Sequence, residues 1–211
     1  MASTLEQVPV AGQHGGGSLP PTVARADGGG PGGGGLLADP ARLGLWLFLG
    51  TVTMLFVGFT SAYIARRGSG DWQDIALPGV LWANTAALLG SSATLEMARR
   101  RLRRWEPGML SWLGATGALG LLFVVGQVTA WRTLTARGFL LASNPHNSFF
   151  YILTGIHIVH LLGAFAWFAV VLWKASRLRY TPGQDGLGLF ATFWHFLGAL
   201  WVYLFLLLFV F

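Results

Sequence analysis

From residue 43 onward the chain consists of five apolar stretches separated by short polar ones, at 43–65, 77–98, 109–131, 148–173 and 187–210. Each is near the ~20 residues that an α-helix needs to cross the hydrocarbon of a bilayer. Hydrocarbon offers no partner to a backbone N–H or C=O, so helix is the expected state of all five. Composition agrees. Hydrophobic residues make up 54% of the chain, charged residues only 10%, and the mean hydropathy is +0.57. A soluble domain carries about 25% charged residues. The fold class predicted is all-α, a polytopic membrane protein built as a five-transmembrane-helix bundle.

The residues ahead of the bundle are of another kind. GGGSLPPTVARADGGGPGGGG has no apolar periodicity and is dominated by Gly and Pro. Such a segment cannot build a core and reads as a disordered arm. It has no continuous apolar stretch behind a basic start, so it does not read as a signal peptide. The domain organisation expected is an arm over 1–40 and a transmembrane domain over 41–211.

The five segments differ. The second is the least apolar, with Asn84, Thr85, Ser91, Ser92 and Thr94 set among Ala and Gly. Small and hydroxyl residues let helices approach and bond across their interface, which predicts an interior helix. The last segment ends FLGALWVYLFLLLFVF and is expected to show much of its bulky surface to lipid. The fourth and fifth segments are joined by a short loop and are expected to pack antiparallel.

Basic residues give the orientation. Arg25, Arg42, Arg99, Arg100, Arg101, Arg103, Arg104, Lys174, Arg177 and Arg179 fall on one side of the predicted membrane. Arg66, Arg67, Arg132 and Arg137 fall on the other. The positive-inside rule then puts the N-terminus in the cytoplasm and the C-terminus outside. Topology therefore accounts for the basic balance, and nucleic acid is not an expected partner. Trp72, Trp105, Trp131 and Trp173 lie near segment ends, where interfacial anchors sit.

Few residues could carry chemistry. There is no cysteine, which removes disulfides, thiolate metal sites and cysteine nucleophiles. Glu96 is the one acidic residue inside a segment, about one turn before Arg99 and Arg100. An ion pair at the interface is the expectation for it. A lone carboxylate cannot form a transmembrane proton relay, and the broken helices and midplane charges of a small transporter are missing.

The histidines leave more open. His157 and His160 stand three residues apart in TGIHIVH and are expected to share a helix face. His195 lies in the last segment, at a depth expected to be comparable with theirs but not matching. The three could bond across helices or to lipid head groups. They could hold a metal or haem, or pass protons. Asn84, Gln127 and Thr154 are each expected to make an interhelical hydrogen bond. Gly155 and Gly163 are expected to leave room for a neighbouring helix.

Four stretches resemble subunit III of the haem–copper oxidases: SFFYILTGIHIVHLLGAFAWF, FATFWHFLGALWVYLF, WANTAALLGSSATLEMARR and RLGLWLFLGTVTMLFVGFTSAYIARR. The likeness covers about residues 42–211 and is to the short five-helix bacterial form. It implies an accessory subunit with no redox centre of its own, no cofactor bound by this chain, and haem and copper in partner subunits. It implies packing against oxidase subunit I, with subunit II in the complex, bound phospholipid, and support of proton uptake. It implies a place in a bacterial inner membrane. By resemblance His157, His160 and His195 are structural or lipid-facing, and Asn84 and Glu96 fall on matching positions of the second helix. Glu96, Asn84, Gln127, Thr154 and Gly155 join the histidines as candidate lipid or subunit contacts. The chain departs from the family where many members carry glutamates, with Val52 and Ala130 at those positions. A quinol-oxidase subunit III and a nitric-oxide-reductase accessory protein are variants of the same reading, and a histidine-ligated haem or metal protein is the rival.

Overall fold

The computed structural model describes residues 39–68, 70, 78–104, 106–141, 144–177 and 186–210. The arm expected over 1–40 lies outside them except for Asp39 and Pro40, as do Asp71, Trp72, Asp74, Trp105, Arg179 and Asp185. The described residues form five helices: α1 (Pro40–Arg67), α2 (Val80–Arg103), α3 (Met109–Ala136), α4 (Pro145–Ser176) and α5 (Gly186–Val210). Four of them, α1, α3, α4 and α5, are long and apolar enough to cross a membrane. The chain is a multi-pass membrane protein.

Local chemistry sets the helix ends. Asp39 caps α1 by accepting from the Ala41 backbone N–H, and Pro40 occupies the first turn, where its missing N–H costs nothing. Asn144 and Pro145 do the same for α4. Gly138, at φ 87°, closes α3 with a left-handed turn in which the Phe139 N–H reaches back to the Leu134 carbonyl.

α2 falls short of the membrane criterion because of the polar side chains noted above. Its 24 residues still span about 36 Å. Their polarity is used against neighbours. The Thr94 and Thr116 hydroxyls bond α2 to α3 at 2.9 Å. The Ser91 hydroxyl accepts from Trp194 Nε1, and the Thr85 hydroxyl from Trp201 Nε1, each at 3.0 Å, tying α2 to α5.

The interior position belongs to α5, not α2. Of the most apolar window of α5, 56% is buried, against 22–28% for α1, α3 and α4. α5 packs on α1, α2 and α4, with Trp194 and Trp201 almost wholly enclosed. The expectation that the last segment faces lipid fails for this reason: its large aromatics fill the centre of the bundle. α2 keeps Trp82 and Leu89 on the outside.

Neighbouring helices follow the order expected. α2 and α3 form an antiparallel pair, and α4 and α5 another. α1 runs parallel to α5, as Phe48 against Phe193 and Tyr203 bonded to Thr60 show. One end of the bundle therefore gathers Arg42, Arg99, Arg100, Arg101, Arg103, Arg104, Lys174 and Arg177, and the other Arg66, Arg67, Arg132 and Arg137.

Candidate functional site

The candidate residues divide among three places in the bundle. The first is its buried middle. α3 and α4 lie close because glycines line α3. A Cβ on Gly117 would strike Phe168, and one on Gly120 would strike Phe165 and Trp194. Farther along, Trp131 Nε1 donates to the Thr154 hydroxyl at 3.1 Å. This register sets Gln127 level with Ile158, next to His157. His157 is fully buried between the rings of Phe123 and Trp201, with centroids at 6.1 and 5.4 Å. Asn84 presses on α3 where Gly126 leaves no side chain; any Cβ there would collide with its amide.

Of the interhelical bonds expected here, only that of Thr154 forms. It accepts from Trp131 and donates to the Phe150 carbonyl. Among the described residues, neither side-chain amide atom of Gln127 has a hydrogen-bond partner, nor does either ring nitrogen of His157, nor Asn84 Nδ2. Apolar surroundings explain this. The rings of Phe123 and Trp201 flank His157, and Asn84 lies against Gly126, which has no side chain to offer a bond.

The second place is the α1–α4 interface. His160 lies three residues after His157 but serves a different neighbour. Its ring leans on Phe48 and Phe56 of α1, and Nδ1 is 2.8 Å from the Ile156 carbonyl of its own helix. Residues three apart on an α-helix point about 60° from each other, enough to send these two into separate interfaces. The shared face expected from sequence is thus split.

The third place is the basic end. Glu96 pairs with Arg99 at 2.8 Å and with Arg100 at 3.6 Å, as the sequence spacing predicts. His195, half-buried on α5, lies within electrostatic reach of Glu96 and Arg99. It is therefore not at the depth of His157, whose ring meets Trp201, six residues further along α5. Antiparallel packing sends equal distances from two helix starts to opposite ends, which is why the comparable depth expected does not occur.

Among the described residues, a Cβ on Gly155 or Gly163 would meet nothing within 4 Å. The close helix approaches are on α3 instead, at Gly117, Gly120 and Gly126. Sequence reading missed these, and also missed Trp194 and Trp201. The signal was present: two indole donors seven residues apart on one helix, and two hydroxyls six apart on another.

Chemically, this arrangement packs and bonds. Among the described residues no group of three His, Cys, Asp or Glu could hold a metal ion. His157 has both ring nitrogens buried, and its ring packs against those of Phe123 and Trp201.

With that geometry in place, comparison with known proteins is decisive. The family model for cytochrome c oxidase subunit III matches residues 36–211. This chain belongs to that family. It is 31% identical over 174 residues to cytochrome c oxidase subunit 3 of Corynebacterium diphtheriae, covering 78% of this chain and 84% of that one. It is 29% identical over 178 residues to the protein of the same name from Thermostichus vulcanus, covering 80% and 86%. It is 28% identical over 169 residues to cytochrome bo(3) ubiquinol oxidase subunit 3 of Pseudomonas putida, covering 77% and 82%. The family is that of the haem–copper oxidases, so the chain is a subunit of a larger oxidase complex.

Proposed function

We propose that the chain is the accessory, non-redox subunit III of a cytochrome c oxidase in a bacterial inner membrane. It packs against oxidase subunit I, with subunit II in the same complex, and steadies subunit I and its lipid shell so that proton uptake is sustained during turnover. Haem and copper belong to the partners. The N-terminus lies in the cytoplasm and the C-terminus outside, which the gathering of basic residues at one end of the bundle supports.

One observation carries the reading: a family match that spans all five helices. The apolar outer faces of α1, α3 and α4 agree with it, since both lipid and a membrane-embedded partner require such surfaces. Thr154, through its bond to Trp131, and Glu96, through its pairs with Arg99 and Arg100, support the bundle itself, while Asn84, Gln127, Gly155 and the three histidines serve as structural, lipid or subunit contacts.

The experiment is deletion of the chain from its native membrane. Haem content should persist in the remaining complex while activity decays faster during turnover. Unchanged assembly together with unchanged turnover lifetime would remove the proposed role. The likeness to a ubiquinol oxidase subunit supports a second reading, in which the partner enzyme takes electrons from a quinol. Tagging the chain, solubilising gently and testing the co-purified complex with both donors separates the two.

A further inference from the structure

The outer face of α3 is not used by any contact described above. Its inner face carries Gly117, Gly120 and Gly126 against other helices. The opposite face exposes Leu121, Leu122, Val125 and Val128 in successive turns. The same strip then changes character. Thr129, Arg132, Thr133, Ala136 and Arg137 line a shallow recess of about 480 Å³. The Thr129 and Thr133 hydroxyls donate to carbonyls one turn back in α3, so the helix satisfies them itself. Arg132 and Arg137 are exposed and make no ion pair among the described residues.

Position along the helix matters. The midpoint of α3 falls near Leu122. Ten residues on, Arg132 lies about 15 Å away, which is half of a hydrocarbon core about 30 Å thick. Arg132 is thus at the edge of the hydrocarbon, and Arg137 about 7 Å beyond it. The strip runs from apolar at mid-membrane to cationic at the interface, the order of parts in one anionic amphiphile.

We propose that this strip binds one anionic phospholipid. Its phosphate sits between Arg132 and Arg137, whose guanidinium groups offer forked donors to phosphate oxygens. One acyl chain lies along Leu121, Leu122, Val125 and Val128. An acidic segment of a partner protein would need the arginines but not the apolar strip beneath them. This inference rests on the lipid-holding part of the proposed function and names a head-group class and a place for it.

The test reconstitutes the full chain in phosphatidylcholine vesicles and measures the association of spin-labelled phosphatidylglycerol and spin-labelled phosphatidylcholine by electron spin resonance. Phosphatidylglycerol should be preferred by roughly fivefold for each arginine at low ionic strength. Arg132→Gln with Arg137→Gln should remove the share of the preference that these two arginines supply, leaving only what the basic residues at the opposite end contribute. Arg132→Lys with Arg137→Lys, which keeps the charge, should retain most of the preference and shows that the site tolerates substitution. Arg103→Gln, at the other end of the bundle, should leave the share lost on substituting Arg132 and Arg137 unchanged. Equal association of both lipids with the parent chain overturns the site, and so does a preference that the double Gln substitution leaves undiminished. Loss of the preference on adding millimolar inorganic phosphate at constant ionic strength assigns the recess to a free anion and overturns it too. Co-purification of haem-bearing subunits with the same variants is scored separately, so failure of this site and failure of the subunit reading are distinguishable.

Discussion

Trp194 and Trp201 on α5 and Gln127 and His157 on α3 and α4 are all polar groups buried in one small bundle. The two tryptophans find hydroxyl acceptors on α2. The glutamine and the histidine find none. The difference lies in what each group meets. The indoles reach a helix supplied with Ser and Thr, while the amide and the imidazole reach aromatic and aliphatic faces. Burial alone therefore says little about how firmly a polar residue holds this fold. A buried group left unsatisfied carries its full desolvation penalty, whereas a satisfied one contributes modestly.

That contrast can be broken by substitution, with thermal unfolding of the purified chain followed by far-UV circular dichroism. Trp201→Ala should have the largest effect, a loss of about 3–5 kcal/mol, because it empties a fully enclosed site and removes the bond to Thr85. A loss below about 1 kcal/mol would mean that α5 does not organise the bundle. Trp194→Phe should cost less, about 1–2 kcal/mol, since most of the volume remains and Ser91 still donates to the Leu88 carbonyl. Gln127→Leu should move the other way and stabilise by about 1 kcal/mol, because an unpartnered amide leaves the core. A clear destabilisation there would show that the amide has a partner after all. Glu96→Gln should matter least, under about 1 kcal/mol and less at high salt, because its pairs with Arg99 and Arg100 are partly open to solvent.

Much of the architecture was readable from apolar runs, and the places where reading failed have a common origin. α3 begins at Met109 as expected, and α5 begins within one residue of the expected start. α2 instead continues to Arg103 and α4 to Ser176. Apolarity marks where hydrocarbon is, not where a helix stops, and arginine is a good helix former. Which helix is central was not readable, because a side chain facing lipid and one facing protein are equally apolar. The Glu96 pair was legible, being local. The partners of His157, Gln127 and Asn84 were not, because they depend on which faces of other helices arrive opposite them. Even the pair His157 and His160 separates, since a spacing of three leaves an angle wide enough to span two interfaces.

The hydroxyls that receive the two indoles have a consequence for biogenesis. Ser91 donates to the Leu88 carbonyl and Thr85 to the Leu81 carbonyl of their own helix, so each has its proton placed before any tryptophan comes. α5 is the last of the five helices to be synthesised. Until it emerges, the first four must wait in the membrane without the helix whose tryptophans fill their centre. α2 can wait there with its hydroxyl protons already bonded, and the late helix then docks onto acceptors that were never stranded in lipid.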